Sequence, residues 1–108
     1  MNIGQIAKMA QQMQSQMAQA QQELAETTLE ATAGGGAVRV TITGAGEMRH
    51  VEIDPSAVDP EEVEMLEDLV LAAVNDAITQ AKELERERMA GIAGGLGLPG
   101  MPGLPGLR

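Results

Sequence analysis

The densest run of chemically able side chains is Glu61, Glu62, Glu64, Glu67 and Asp68, a carboxylate cluster that could in principle hold Mg²⁺ or Ca²⁺. Acids in the first turns of a helix also favour the positive end of its dipole, and that reading needs no ion. His50 is the single histidine, flanked by Arg49 and Glu52 on a strand-like segment; it reads as a solvated face residue, and no nucleophile–base triad can be assembled around it. Gly34-Gly35-Gly36 and Gly44-Ala45-Gly46 could suggest phosphate loops. Each leads into a strand, whereas cradling phosphate takes a helix N-terminus, so both read as hairpin turns. Met9, Met13 and Met17 lack nearby His or Cys and fall at helical contact spacing, which makes them packing residues rather than copper ligands. The residues therefore predict no enzyme, no metal, no cofactor and no small-molecule substrate.

The elements that would carry these residues follow from periodicity. Ile3, Ile6, Ala10, Met13, Met17, Ala20 and Leu24 recur at alternating threes and fours, a heptad seam that predicts a helix from about Ile3 to Ala25 in need of a partner helix. Thr27 to Ala33 alternates and ends in three glycines, predicting a first strand. Val38–Thr43 puts Val38, Val40 and Ile42 on one face and Arg39, Thr41 and Thr43 on the other. Glu47 to Ile53 gives a third strand, with Val51 and Ile53 on one face and His50 and Glu52 on the other. The corner Asp54-Pro55-Ser56 stops it. A second helix is expected from about Pro60 to Met89, with Asp59 as N-cap, Pro60 at the first position, Glu62 as capping-box partner, and Val58 and Val63 as hydrophobic staple. Its apolar face includes Leu66, Val70 and Val74. At roughly 45 Å it would outreach a three-stranded sheet, so its end must project or meet another chain. The predicted class is α+β in the order αβββα, a three-stranded antiparallel meander with long N- and C-terminal helices.

Composition sets the limits. The chain has 108 residues, no Phe, Tyr, Trp or Cys, eight Met and a net charge of -9. One domain is expected at 1–90, followed by a flexible Gly/Pro-rich tail at 91–108, where Gly recurs every third residue from Gly91. An aromatic-free core in so short a chain is thin, and oligomerisation is the expected remedy. The absence of cysteine suits a reducing cytoplasm, and the N-terminus holds neither a signal-peptide pattern nor a membrane span. The acidity by itself argues against nucleic acid, because phosphate binding is driven by Lys and Arg.

The runs GAVRVTITGAGEMRHVEIDPSAV and EMLEDLVLAAVNDAI, with the Val-Glu-Ile-Asp-Pro corner at 51–55 and Leu66-Glu67-Asp68-Leu69-Val70, closely resemble the YbaB/EbfC family of bacterial nucleoid-associated proteins over residues 1 to about 90. The resemblance implies a cytoplasmic, nucleoid-located homodimer, tweezer-like, whose projecting helices grip duplex DNA with little sequence preference and alter its conformation, serving nucleoid organisation, DNA protection and gene regulation. Such a role requires the charge to be located rather than summed. Residues 60–90 carry nine acids and three bases, with six of the acids at or before Asp76, and residues 1–22 carry Lys8 and no acid. If the two helices pack antiparallel, Lys8, Lys82, Arg86 and Arg88 are expected to collect at one tip as the phosphate contacts. Arg39 and Arg49 offer a second surface on the strands, with a solvated outer face as the plain alternative. Ile6, Met13, Met17, Leu24, Leu66, Val70 and Val74 are expected to form the helix or dimer seam. The competing function is an acidic dimeric adaptor that binds a protein partner through its Met-rich helix and touches DNA little.

Overall fold

A computed structural model describes residues 2–95. Helix α1 (Ile3–Glu26) opens on a capping box: the Gln5 N–H donates to Asn2 Oδ1 at 2.7 Å, and the Asn2 N–H donates back to Gln5 Oε1 at 3.3 Å. Strands β1 (Thr28–Ala33), β2 (Val38–Thr43) and β3 (Met48–Ile53) come next as an antiparallel meander in the order β1-β2-β3. A 3-10 turn (Pro55–Ala57) leads to helix α2 (Val63–Gly95). The αβββα architecture expected from periodicity is the one observed.

The β1–β2 turn takes Gly34, Gly35 and Gly36 through φ of 65°, 67° and 97°, a run of left-handed backbone that side chains with a Cβ avoid. In the β2–β3 pair Ile42 faces Met48 and Thr41 faces His50, so Arg49 is the extra residue of a β-bulge. Strict alternation would keep Met48 off the face shared by Val51 and Ile53. The bulge returns it to the core side, where it packs against the buried cluster.

Corner chemistry at Asp54 is as expected. The Ser56 N–H and hydroxyl both donate to Asp54 Oδ1 at 2.9 Å. These bonds, the backbone one first, hold the Asp54 carboxyl below the usual carboxylate range. The next expectation is corrected: Asp59 does not cap α2. Its side chain accepts from the Glu61 N–H at 3.0 Å and its carbonyl from the Glu62 N–H at 2.8 Å, closing a separate turn, and the helix starts only at Val63. Val58 and Val63, expected to staple the helix start, stay 54% and 51% exposed, so no buried contact pulls the helix back to Pro60. At the other end α2 runs past Met89 to Gly95, so 91–95, expected in the tail, are helical; the remainder of that tail lies outside the described residues.

The core is built from small residues. Ala73, Ala77 and Ala81, each a helical turn apart, lie against Ala31, Val38, Val40 and Ile42. Alanine at the contact lets helix and sheet backbones approach closely, and α2 crosses β1 and β2 while scarcely touching β3. Gly44 is where three elements meet. Its N–H donates to Thr27 O at 2.9 Å, and a Cβ there would lie 2.9 Å from Leu24 Cδ2, 3.0 Å from the Leu24 carbonyl oxygen and 3.1 Å from Leu84 Cδ2. Gly44→Ala is therefore expected to lower the unfolding free energy by about 1–3 kcal/mol in chemical denaturation. Gly35→Asn, which meets nothing within 4 Å at a φ asparagine tolerates, should cost less than about 1 kcal/mol.

Candidate nucleic-acid interface

Helices α1 and α2 form an antiparallel arm. Leu24 and Leu84 converge on Gly44, Arg88 Nη1 reaches Glu23 Oε1 at 3.2 Å, and Gln16, Gln19 and Ala20 share a shallow cleft with Gly91 and Ile92. As numbers fall along one helix they rise along the other. Ala20 and Leu24 are buried in this contact, Met13 is half-buried, and the remaining expected seam residues of α1, Ile6 and Met17, are 53% and 43% exposed.

The expected cations are spread along this arm rather than gathered at a tip. Lys82 lies at its base, lining a cleft with Gly44, Ala45, Gly46 and Glu85. Arg88 lies six residues, or about 9 Å, further along α2. Lys8 lies fifteen residues before Glu23, which places it about 22 Å beyond the Arg88 contact. The anticipated cluster required both helices to end together; α1 instead extends beyond the point where the described part of α2 stops. The result is a line of roughly 30 Å, about the length of nine base pairs of B-form duplex.

Pairing divides the cations. Arg86 pairs with Glu83, Arg88 with Glu23, and Arg49 with Glu47 at 3.0 Å, all on exposed side chains. Among the described residues Lys8, Lys82 and Arg39 make no ion pair. Arg39 stands opposite Glu52 and Thr32 on the sheet face turned away from α2, with exposed His50 one strand over beside Thr41. Glu30 and Glu52 share that face, so carboxylates outnumber the Arg39 guanidinium there. On the arm Lys8 and Lys82 are thus free of ion pairs among the described residues, whereas Arg86 and Arg88 each hold a carboxylate.

Sequence reasoning missed a second surface. Because α2 sits over β1 and β2, the inner face of β3 is left open: Val51 is 46% exposed, and Ile53 lines an apolar cleft with Leu66, Val70, Leu71 and Val74. Leu66, Val70 and Val74, expected in a seam, occupy the border between this cleft and the core. Leu71 is 58% exposed at the edge of this cleft, while Met65, also 58% exposed, lies on the opposite side of α2. Their signal in the sequence is that both are large apolar residues falling outside the stripe that predicts the buried face of α2.

The fold has a solved counterpart. An uncharacterised protein from Helicobacter pylori, HP0035, matches with a TM-score of 0.74 at 26% identity, covering 84% of this chain and 95% of that one. Residues 1–96 match the YbaB/EbfC DNA-binding family. Nucleoid-associated proteins of Chloroflexus aurantiacus and Moorella thermoacetica are each 52% identical, over 96 and 101 residues, covering 89% and 91% of this chain and 96% and 97% of those proteins. This chain belongs to the YbaB/EbfC DNA-binding family, whose relatives are nucleoid-associated proteins.

The arm depends on its apolar anchor more than on its ion pair. Leu24→Ala is expected to cost about 2–5 kcal/mol in denaturant unfolding, since Leu24 is fully buried. Glu23→Gln should cost under about 1 kcal/mol, because both partners of its bridge to Arg88 remain solvent-exposed and screened.

Proposed function

We propose that the protein acts in the nucleoid as a homodimer that grips duplex DNA between its helical arms, with little sequence preference, and changes the path of the DNA. The observation that carries this reading is the charge segregation along the arm. Lys8 and Lys82 line it, acids are absent from residues 1–22, and the dense carboxylates lie at the far end of α2, while Glu83, Glu85 and Glu87 bring residues 82–88 only to neutrality. Without aromatic side chains there is no base stacking, and lysines and arginines on exposed helices meet phosphates rather than base edges. Preference among sequences then arises from DNA shape and deformability. Nucleoid compaction, protection of DNA and altered gene expression follow from such binding.

The homodimer is supported by the open β3 face. A thin, aromatic-free core lies beside an exposed apolar patch built from Val51, Ile53, Leu66, Val70, Leu71 and Val74, the surface that a second copy would bury. A self-complementary contact through these residues leaves both arms clear of the interface. Leu71→Asp should convert the dimer to a monomer in light scattering at micromolar concentration while leaving helical circular dichroism intact. A dimer that survives this change places the interface elsewhere.

For DNA, a salt titration with a duplex is expected to give a log–log slope of about -4 to -7 per dimer, counting Lys8 and Lys82 alone or with Arg86 and Arg88. Lys8→Ala with Lys82→Ala should reduce that slope by roughly three to four, and Arg86→Ala with Arg88→Ala by a similar or smaller amount. A slope untouched by all four changes rejects the arm as the DNA surface. Failure to bind duplex near physiological salt favours the adaptor reading, which the overall acidity and the ion-paired state of Arg86 and Arg88 support.

A further inference from the structure

The seam that spacing marks on α1 is used by the fold only in part. Ala20 and Leu24 are buried in the arm, while Ile3, Ile6, Ala10 and Met17 stay exposed, Ile3 by 85%. At 100° per residue Ile3, Ile6, Met17 and Leu24 all lie within about 40° of Ala10, so a stripe about 21 Å long, from Ile3 to Met17, runs on from the buried anchor. At Gly44 Leu84 of α2 meets the Leu24 end of this line. The spacing that seats a helix at the base of the arm is thus repeated toward the N-terminus.

The borders of the stripe decide what fits it. Ala7, Gln14 and Gln21 run along one side and Met9 and Gln16 along the other. Lys8, the one charged side chain in residues 2–22, lies about 160° round the helix from Ala10. A partner recognised through acids or bases finds no counter-charge on the stripe, and a phosphate backbone finds its lysine on the opposite side. Heptad spacing of Ile3, Ile6, Ala10, Met13 and Met17 calls instead for another apolar helix. A second copy of α1 supplies one and brings no like charge into the contact. It also fits by symmetry: with Ala10 near a twofold axis, Ile3 and Ile6 of each copy face the Met13 to Met17 stretch of the other, and the small central residue permits close approach.

We propose that the exposed stripe of α1 is an interface between copies of this chain, in which the N-terminal halves of two α1 helices pack antiparallel. A contact of this length falls below the roughly 1,200 Å² of stable interfaces, so the association is weak and grows with local concentration. It is separate from the β3 surface. Joined to a β3 dimer, which carries two arms, it links dimers into chains. Lys8 stays on the outside of the paired helices, so pairing and phosphate contact do not exclude one another.

The chain has no cysteine, so the full-length Ala10→Cys protein carries a single thiol on the stripe, and Ser15→Cys a single thiol on the far side of the helix. A short bis-maleimide linker is expected to join Ala10→Cys chains in several-fold higher yield than Ser15→Cys chains. The link should survive the addition of Leu71→Asp, which separates this contact from the β3 dimer. Equal yields from the two positions, or loss of the link with Leu71→Asp, overturn the proposal. Should Leu71→Asp fail to disperse the dimer, the β3 reading is rejected and the comparison of the two thiols still stands. Ile6→Asp with Met17→Asp changes only exposed positions, so helical circular dichroism should be kept, while linking through Ala10→Cys falls roughly tenfold or more as carboxylates enter the contact. Undiminished linking in that variant sinks the proposal. If another segment of the same chain or an unlike protein takes the stripe, no link forms between purified copies, and the proposal fails.

Discussion

The close contact of Ala73, Ala77 and Ala81 with Ala31, Val38, Val40 and Ile42 is the constraint on which the rest of the molecule depends. With no aromatic residue to fill space, helix and sheet can exclude water only by lying close together, and alanine is the side chain that permits it. A helix seated this closely covers two strands and not three. The exposed face of β3, with Val51 and the neighbouring side chains of α2, is a direct result of how the core is made. The open apolar surface is thus the same fact as the thin core, seen from outside.

Gly44 plays the corresponding part for the arm. The end of α1, the β2–β3 turn and the middle of α2 meet around a position with no room for a Cβ, and the directions of both helices are set there. Beyond that point Ala20, Leu24 and the exposed Arg88–Glu23 bridge help to hold the arm, over a molecule 69 Å in its longest dimension and 16 Å in its shortest. Extension of this kind separates the acid-rich start of α2 from the cations further along, so the net charge of -9 is unevenly spread over the molecule. Screening sharpens the contrast: at physiological ionic strength the Debye length is about 8 Å, much shorter than the arm.

Much of this was legible in the residues themselves. Alternation in Val38–Thr43 and the Asp54-Pro55-Ser56 corner defined the meander, because side-chain parity and local side-chain-to-backbone hydrogen bonds are encoded within a few positions. The heptad pattern defined α1 to within a residue of its observed end. Less legible were features that depend on competition between neighbours. The Asp59-Pro60 pair has the chemistry of a helix cap, yet it closes its own turn, because Asp59 meets Glu61 and Glu62 before the helix begins. The bulge at Arg49 is equally silent in a pattern read by strict alternation.

Sequence by itself determined the order of elements, the apolar stripe of each helix, the membership of the YbaB/EbfC family and the segregation of acids from cations along the chain, since each is a property of local spacing or of motif. Only the tertiary structure decided how the two helices are offset, and with it that Lys8, Lys82 and Arg88 form a line rather than a cluster. It also decided which apolar residues stay uncovered. Both outcomes depend on the depth at which alanines seat α2 on the sheet and on the contact that Gly44 allows, and these distances between remote residues are written in no single stretch of the chain.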